Sequence, residues 1–295
     1  MGTVVTVHVV GASTTHADRE QSVARALAWF DAVEQVCSRF IPESELSCLS
    51  TRIGEPVPAS DMLLGAVSFA LAVAEETNGA FDPTVGFSLE HRGFDREHRT
   101  GAVVRTPLRA DTNANFRDVQ IDADQKTIML GRPLLLDLGA VAKGLAIDTA
   151  ARQLRDDGFE SFAIDAGGDV YLAGRNAAGQ PWSVGIRHPR KPGAIFKTIH
   201  VSNVAVCTSG DYERRVPDDP SAHHILDARS NVTATNVVSV TTVAASAMVA
   251  DAMATAAFAL GASEGLALLE RQGVAGMIIT PALETITSPH HYWSS

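Results

Sequence analysis

The chain has 295 residues, 45% hydrophobic and 20% charged, proportions that fit a globular protein with a substantial core. Its net charge of -10 argues against nucleic-acid binding, which needs Lys and Arg to neutralise phosphates. Three cysteines, Cys37, Cys48 and Cys207, are too sparse for a disulfide framework and match no zinc-site spacing.

Residues 3–10 alternate and are rich in β-branched side chains, which predicts a strand. Residues 17–38 predict an amphipathic helix with Val23, Leu27, Phe30, Val33 and Val36 on one side. A loop through Pro42 follows, with Ser44 placed to cap a short turn. A second helix over 61–78 ends at Asn78-Gly79. Residues 88–117 hold six Arg and two His with little periodicity, and read as a long surface excursion. Short strands at 119–121 and 127–130 flank a polar turn.

The middle of the chain reads as a strand over 134–139, a helix over 140–157 and a strand over 161–165. Beyond Gly167-Gly168, strands are expected over 169–174, 182–187, 196–201, 204–209 and 237–243. The last leads into a helix over 245–260, then a helix over 263–272 capped by Ser263, then a strand over 276–280. Many antiparallel-looking strands with few helices predict an α+β fold. No composition shift marks a linker, so residues 1–295 read as a single domain. No apolar run reaches the roughly 18 residues of a membrane span; the longest candidate is interrupted by Asp251. The N-terminus has no basic stretch followed by an apolar one. The chain as it stands reads as cytoplasmic, or as an extracytoplasmic protein whose leader has been removed.

Four segments carry chemistry. In LLLDLGAVAKGLAID, Asp137 and Gly139 end the expected strand and Lys143 opens the following helix. A helix N-terminus with a nearby ammonium suits an anion, while a plain strand-to-helix turn capped by Asp137 explains the same residues. In IDAGGDVYLAG, Gly167 and Gly168 permit either close approach to a ligand or a two-residue hairpin turn. In VADAMATA, Asp251 and Thr255 are four apart and share a helix face. That hard-oxygen pair suits Mg2+, or it is an acid bonded to a hydroxyl. In TSGDYERR and SAHHILDARS, Asp211 lies in a turn and His224 is a candidate general acid or base; a structural His is the alternative.

Taken in order, SRFIPESELSCL, GAFDPTVG, LDLGAVAKGLAID, DAGGDVYLAG, WSVGI, TSGDYERR, HHILD and ADAMATA resemble the ApbE family of FAD:protein FMN transferases. The resemblance begins at Met1 and spans nearly the whole chain. It implies an ApbE/T-fold-like architecture and Mg2+-dependent transfer of the FMN half of FAD to a Thr or Ser hydroxyl of an acceptor protein, with AMP released. It implies that Met1, Phe40, Ala80, Phe81, Asp82, Asp137, Lys143 and Ile225 line the FAD pocket. It also implies that the Ala140 carbonyl, Asp251 and Thr255 hold Mg2+, and that His224 assists transfer. Ala228 and Asn231 depart from the family pattern, which usually has Pro and Gly there. An FAD pyrophosphatase, or an FAD-binding protein without turnover, are the alternative functions.

Overall fold

The computed structural model describes residues 2–11, 16–216 and 219–293. In chain order the first elements are β1 (Val5–Val9), α1 (His16–Cys37), α2 (Glu45–Ser50), β2 (Val57–Pro58), α3 (Asp61–Glu76) and α4 (Gly86–His91). Then come β3 (Val119–Asp122), β4 (Thr127–Leu130), α5 (Gly139–Asp156), β5 (Phe162–Ala166) and β6 (Asp169–Ala173). They are followed by β7 (Trp182–Arg187), β8 (Ile195–Val201), β9 (Val204–Gly210), β10 (Arg215–Val216), β11 (Asp219–His223), β12 (Leu226–Asp227) and β13 (Val232–Thr233). The last are β14 (Ser239–Ala244), α6 (Ala247–Leu260), α7 (Ala262–Arg271), β15 (Ala275–Ile279) and β16 (Thr285–Thr287).

A seven-stranded sheet in the order β1-β5-β6-β9-β14-β15-β16 organises these elements, and every neighbouring pair is antiparallel. This is the expected α+β class. Side chains alternate between the two faces of each strand. On β9, Ala205 and Cys207 join the core under the helices, while Val206 joins a second cluster with Ile186, Ile199 and Val201 of the β7–β8 hairpin. The sheet is thus covered by helices on one face and by a hairpin on the other. None of the described helices is long and apolar enough to cross a membrane.

Helix α6 is buried on nearly all sides, which its run of Ala with Met253 and Phe258 allows. Asp148 of α5 fixes its start: one carboxylate oxygen accepts from the Ala247 amide at 2.7 Å, the other from Ser246 Oγ at 2.6 Å and the Met248 amide at 2.9 Å. An acid at a helix N-terminus satisfies orphan amides and favours the helix dipole. Close approach of the two helices requires Gly144, where a Cβ would lie 2.4 Å from the Met248 Cα.

Four expectations are corrected. Residues 134–139 are not a strand. Leu134, Leu135, Leu136 and Leu138 are buried, but the segment makes only a parallel bridge between Leu135 and Val85, and the Asp137 amide donates to Pro83 O. A short apolar run cannot by itself distinguish a buried connector from a strand. Helix α7 is capped by Gly261, at φ 83°, rather than by Ser263. On α1, Phe30 and Val33 are buried and Val36 packs against the core as expected, but Val23 and Leu27 are only half-buried, and Ser22, Ala26 and Cys37 complete the buried face. Residues 88–117 are more than a surface excursion: Leu89, Glu90, Asp95 and Phe116 are buried, and Arg99 is tied to Glu34 of α1 at 2.6 Å.

Gly144→Ala should lower stability by about 1–3 kcal/mol, because the clash is with backbone that Asp148 holds in place. Urea denaturation will measure it; an unchanged midpoint would show that the α5–α6 contact has slack.

Candidate active site

Two buried charge networks flank the first turns of α5. In the first, Arg39, whose side chain is 4% exposed, donates from Nε to Asp137 Oδ2 at 2.6 Å and from Nη2 to Phe94 O at 2.6 Å. Asp137 Oδ1 accepts the Gly139 amide at 2.8 Å, so this acid both pairs with Arg39 and satisfies the first amide of α5, whose N-cap position is Leu138. Burial alone would raise the Asp137 pKa; the Arg39 charge and these hydrogen bonds outweigh it and hold the carboxyl below its usual range. Phe40 lies under the Arg39 guanidinium, 4.1 Å from it to the ring centroid.

The second network joins three elements. Lys143 of α5 reaches Asp251 Oδ2 of α6 at 2.8 Å and touches the carboxylate of Asp169 at the start of β6. Asp169 also accepts the Thr208 amide at 2.9 Å. It is delivered there by the β5–β6 hairpin, whose turn residues Gly167 and Gly168 have φ of 70° and 97°. One turn beyond Asp251, Thr255 Oγ1 lies 3.1 Å from Ser209 Oγ of β9. Asp251 and Thr255 therefore do not bond each other, and Lys143 turns toward two carboxylates instead of the helix N-terminus.

The segment after β9 supplies the histidines. His223 is buried, with Nε2 at 2.9 Å from Ala234 O and Nδ1 accepting the Ile225 amide, so both nitrogens serve the fold. His224 sits edge-on to Phe94, with ring centroids 6.2 Å apart, and its Nδ1 faces Arg214 O at 3.4 Å. A carbonyl only accepts, so Nδ1 carries the proton and Nε2 presents its lone pair. Burial, then the Arg214 charge, pushes the His224 pKa down to about 3. Asp211 and Asp227 are committed to bidentate pairs with Arg190 and Arg229, and Glu213 pairs with Arg187.

Ile225 is buried beside the histidines, and the Ala228 amide donates to Ala80 O at 3.1 Å. A proline at 228 would lack that N–H, so the non-proline residue here adds a link between the Ala80–Asp82 turn and the histidine segment. Asp82 accepts from the Thr84 amide, the Thr84 hydroxyl and the Phe116 amide, yet burial still pushes its carboxyl up. Phe81 is buried, with its amide donating to Thr77 Oγ1. Met1 lies outside the described residues.

The family model of the ApbE family matches residues 1–278. The chain belongs to the ApbE family. It is 34% identical over 275 residues to an FAD:protein FMN transferase of Treponema pallidum, covering 84% of this chain and 74% of that protein. It is 31% identical over 204 residues to one of Vibrio cholerae, covering 67% of this chain and 60% of that protein. Its fold is similar to the crystal structure of the ApbE protein of Thermotoga maritima, with a TM-score of 0.85, 28% identity and coverage of 97% and 96% of the two chains. It is also similar to the flavin transferase ApbE of Vibrio cholerae, with a TM-score of 0.82, 26% identity and coverage of 98% and 94%.

The ApbE fold therefore brings His224 into electrostatic range of Asp137, and Asp251 and Thr255 to the junction of α5, β6 and β9. Ala140 lies in the first turn of α5, one turn before Lys143. Arg39 and Asp169 are the charged groups that sequence reasoning missed. Asp169 had a signal, an acid directly after a glycine pair; a lone Arg before Phe40 had none. Two shallow concavities, one bordered by Glu270, Ser288 and His290 and one by Gln120, Asp122 and Met129, lie away from these networks. Buried, paired charges locate chemistry better than surface concavity does.

A divalent cation fits the donor set. Asp251 uses only Oδ2 for Lys143, its Oδ1 makes no hydrogen bond to a described residue, and a hydroxyl lies one turn on. The described residues contain no cluster of three or more His, Cys, Asp or Glu that could hold a metal.

Asp137→Ala should destabilise the fold by roughly 3–5 kcal/mol, because it leaves the buried Arg39 with only Glu90, 3.8 Å away, as a charge partner. Chemical denaturation measures the loss; a change below about 1 kcal/mol, the scale of an exposed pair, would contradict the burial argument. His224 has a folded pKa of about 3 against an ordinary 6.5, so between these values the unfolded chain binds the extra proton. Its contribution to stability is thus lost as pH falls from 6.5 toward 3. The melting temperature of His224→Gln should therefore drop less over that window than that of the wild type.

Proposed function

We propose that this protein transfers the FMN moiety of FAD to a Thr or Ser hydroxyl of an acceptor protein, releasing AMP. The observation that carries the reading is the buried Asp251–Thr255 face meeting Lys143, in a chain whose relatives are named FAD:protein FMN transferases.

Phe40, Ala80, Phe81, Asp82, Asp137, Lys143 and Ile225 line the FAD site in this reading. Phe40 and Phe81 offer aromatic surface for a flavin or adenine ring. Gly139 and Ala140 open α5 toward the pyrophosphate. Asp251, Thr255 and the Ala140 carbonyl would hold Mg2+. When bound, that ion supplies positive charge that stabilises the pyrophosphate in the transition state.

The acceptor hydroxyl attacks the FMN-side phosphorus, a new P–O bond forms, and the bond to AMP breaks. His224 takes the hydroxyl proton on Nε2, the nitrogen left free by the Arg214 carbonyl. Burial keeps the ring neutral at neutral pH but also weakens it as a base, and the negative charge of Asp137 counters this by favouring the protonated ring. Most of the remaining acceleration comes from positioning.

The test is AMP release from FAD, with and without an acceptor, alongside in-gel flavin fluorescence. Asp251→Ala should abolish transfer with the fold retained, excess EDTA should do the same, and Mg2+ should restore activity. His224→Ala should slow transfer by roughly 10²–10⁴-fold. AMP release without labelling of any acceptor would favour a pyrophosphatase. FAD binding with no AMP release would favour a flavin-delivery protein. Turnover that persists in EDTA would sink the metal assignment.

A further inference from the structure

We propose that Lys143 is a stand-in cation for the divalent metal at Asp251, and that Asp169 is the positioning residue that holds the ammonium when the metal takes its place. The inference rests on the reading of Asp251 and Thr255 as metal ligands.

Lys143, Asp169 and Asp251 converge from three elements with side chains only 18%, 8% and 10% exposed. Two carboxylates and one ammonium leave an excess of one negative charge in a place where uncompensated charge is costly. No other cation pairs with either acid among the described residues. The other nearby acid, Asp148, is committed to the N-terminus of α6. The cluster is therefore stable without metal, yet retains net affinity for a further cation.

The two acids are not equivalent. Asp169 is rigid: Oδ1 accepts the Thr208 amide across the β6–β9 pairing, and the Gly167-Gly168 turn behind it is braced by Asp165 accepting the Gly168 amide at 2.8 Å. Asp251 spends one oxygen on Lys143 and keeps Oδ1 open, beside the Thr255 hydroxyl one turn along. An ammonium is a compact charge on a flexible stem, so Lys143 can keep its bond to Asp169 while giving up Asp251. With a divalent ion on Asp251 the cluster changes from one negative charge in excess to one positive. A site that repels a pyrophosphate before the metal arrives attracts it afterwards: the two acids make FAD binding depend on metal, and Lys143 makes the metal-loaded site positive rather than neutral.

The consequence is competition between Lys143 and the metal for one carboxylate, with opposite effects of removing its two partners. Mn2+ titrated into the FAD-free, full-length protein and followed by the electron paramagnetic resonance signal of the free ion provides the readout. Lys143→Met, which removes the competitor, should bind Mn2+ about ten-fold more tightly than the wild type. Asp169→Asn, which leaves Asp251 as the sole partner of Lys143, should bind it about ten-fold more weakly. Circular dichroism checks that each variant is folded, and if Lys143→Met is not, the weaker binding of Asp169→Asn carries the test alone. Equal affinities in the wild type and both folded variants, with binding abolished by Asp251→Asn, would overturn the stand-in role and leave the metal site in place. Absence of Mn2+ binding to the wild type and to Lys143→Met, or binding untouched by Asp251→Asn, would overturn both.

Discussion

The Asp148 carboxylate holds the N-terminus of α6 against α5, and the positions of the charged groups in the site follow from that contact. Three donors at the start of α6 converge on one acid of α5. Gly144, one turn before it, removes the side chain that would keep the helices apart. With α5 and α6 locked, Lys143 and Asp251 face each other across the interface. The antiparallel sheet beneath then brings Asp169 of β6 and Ser209 of β9 to the same place.

Burying this much charge has little to recommend it as a source of stability. Replacing buried ion pairs by apolar residues is often neutral or favourable. Both networks are nonetheless largely buried, and each leaves something for a ligand. The Arg39–Asp137 pair ends at the open first turn of α5, and the Lys143–Asp169–Asp251 cluster keeps a surplus negative charge. Charges arranged this way are expected where a substrate or metal completes the balance. The net charge of -10 makes the local arrangement necessary, since the molecule as a whole does not attract a pyrophosphate.

Segments outside the central sheet set the walls of the site. The 88–117 region contributes Phe94, whose carbonyl holds Arg39 and whose ring meets His224, and Phe116, whose amide holds Asp82. The Ala228 amide joins the histidine segment to Ala80. Substitutions in these loops therefore act on the charged groups through backbone hydrogen bonds, without any change in the reacting side chains.

Much of this was legible in the sequence where the information is local. The cap Ser44, the Asn78-Gly79 stop, the α5 and α6 helices and the strands of the central sheet except β16 follow from capping chemistry, positive-φ residues and side-chain periodicity. The one-turn spacing of Asp251 and Thr255 is local too, and so is the order of motifs that marks the ApbE family. What the sequence left open concerns partners distant in the chain. The apolar run at 134–138 reads alike as a strand or a buried connector, and only its neighbours decided for the connector. Lys143 pairs with residues up to 108 positions away, and nothing in its own helix says whether its ammonium faces a phosphate or two acids. Arg39 meets Asp137 across 98 residues. The sequence by itself determined which elements form and which chemical groups are available. Which charges neutralise one another was decided only by tertiary structure, because Coulomb energy and desolvation depend on distance and burial, and neither is a property of a residue's position in the chain.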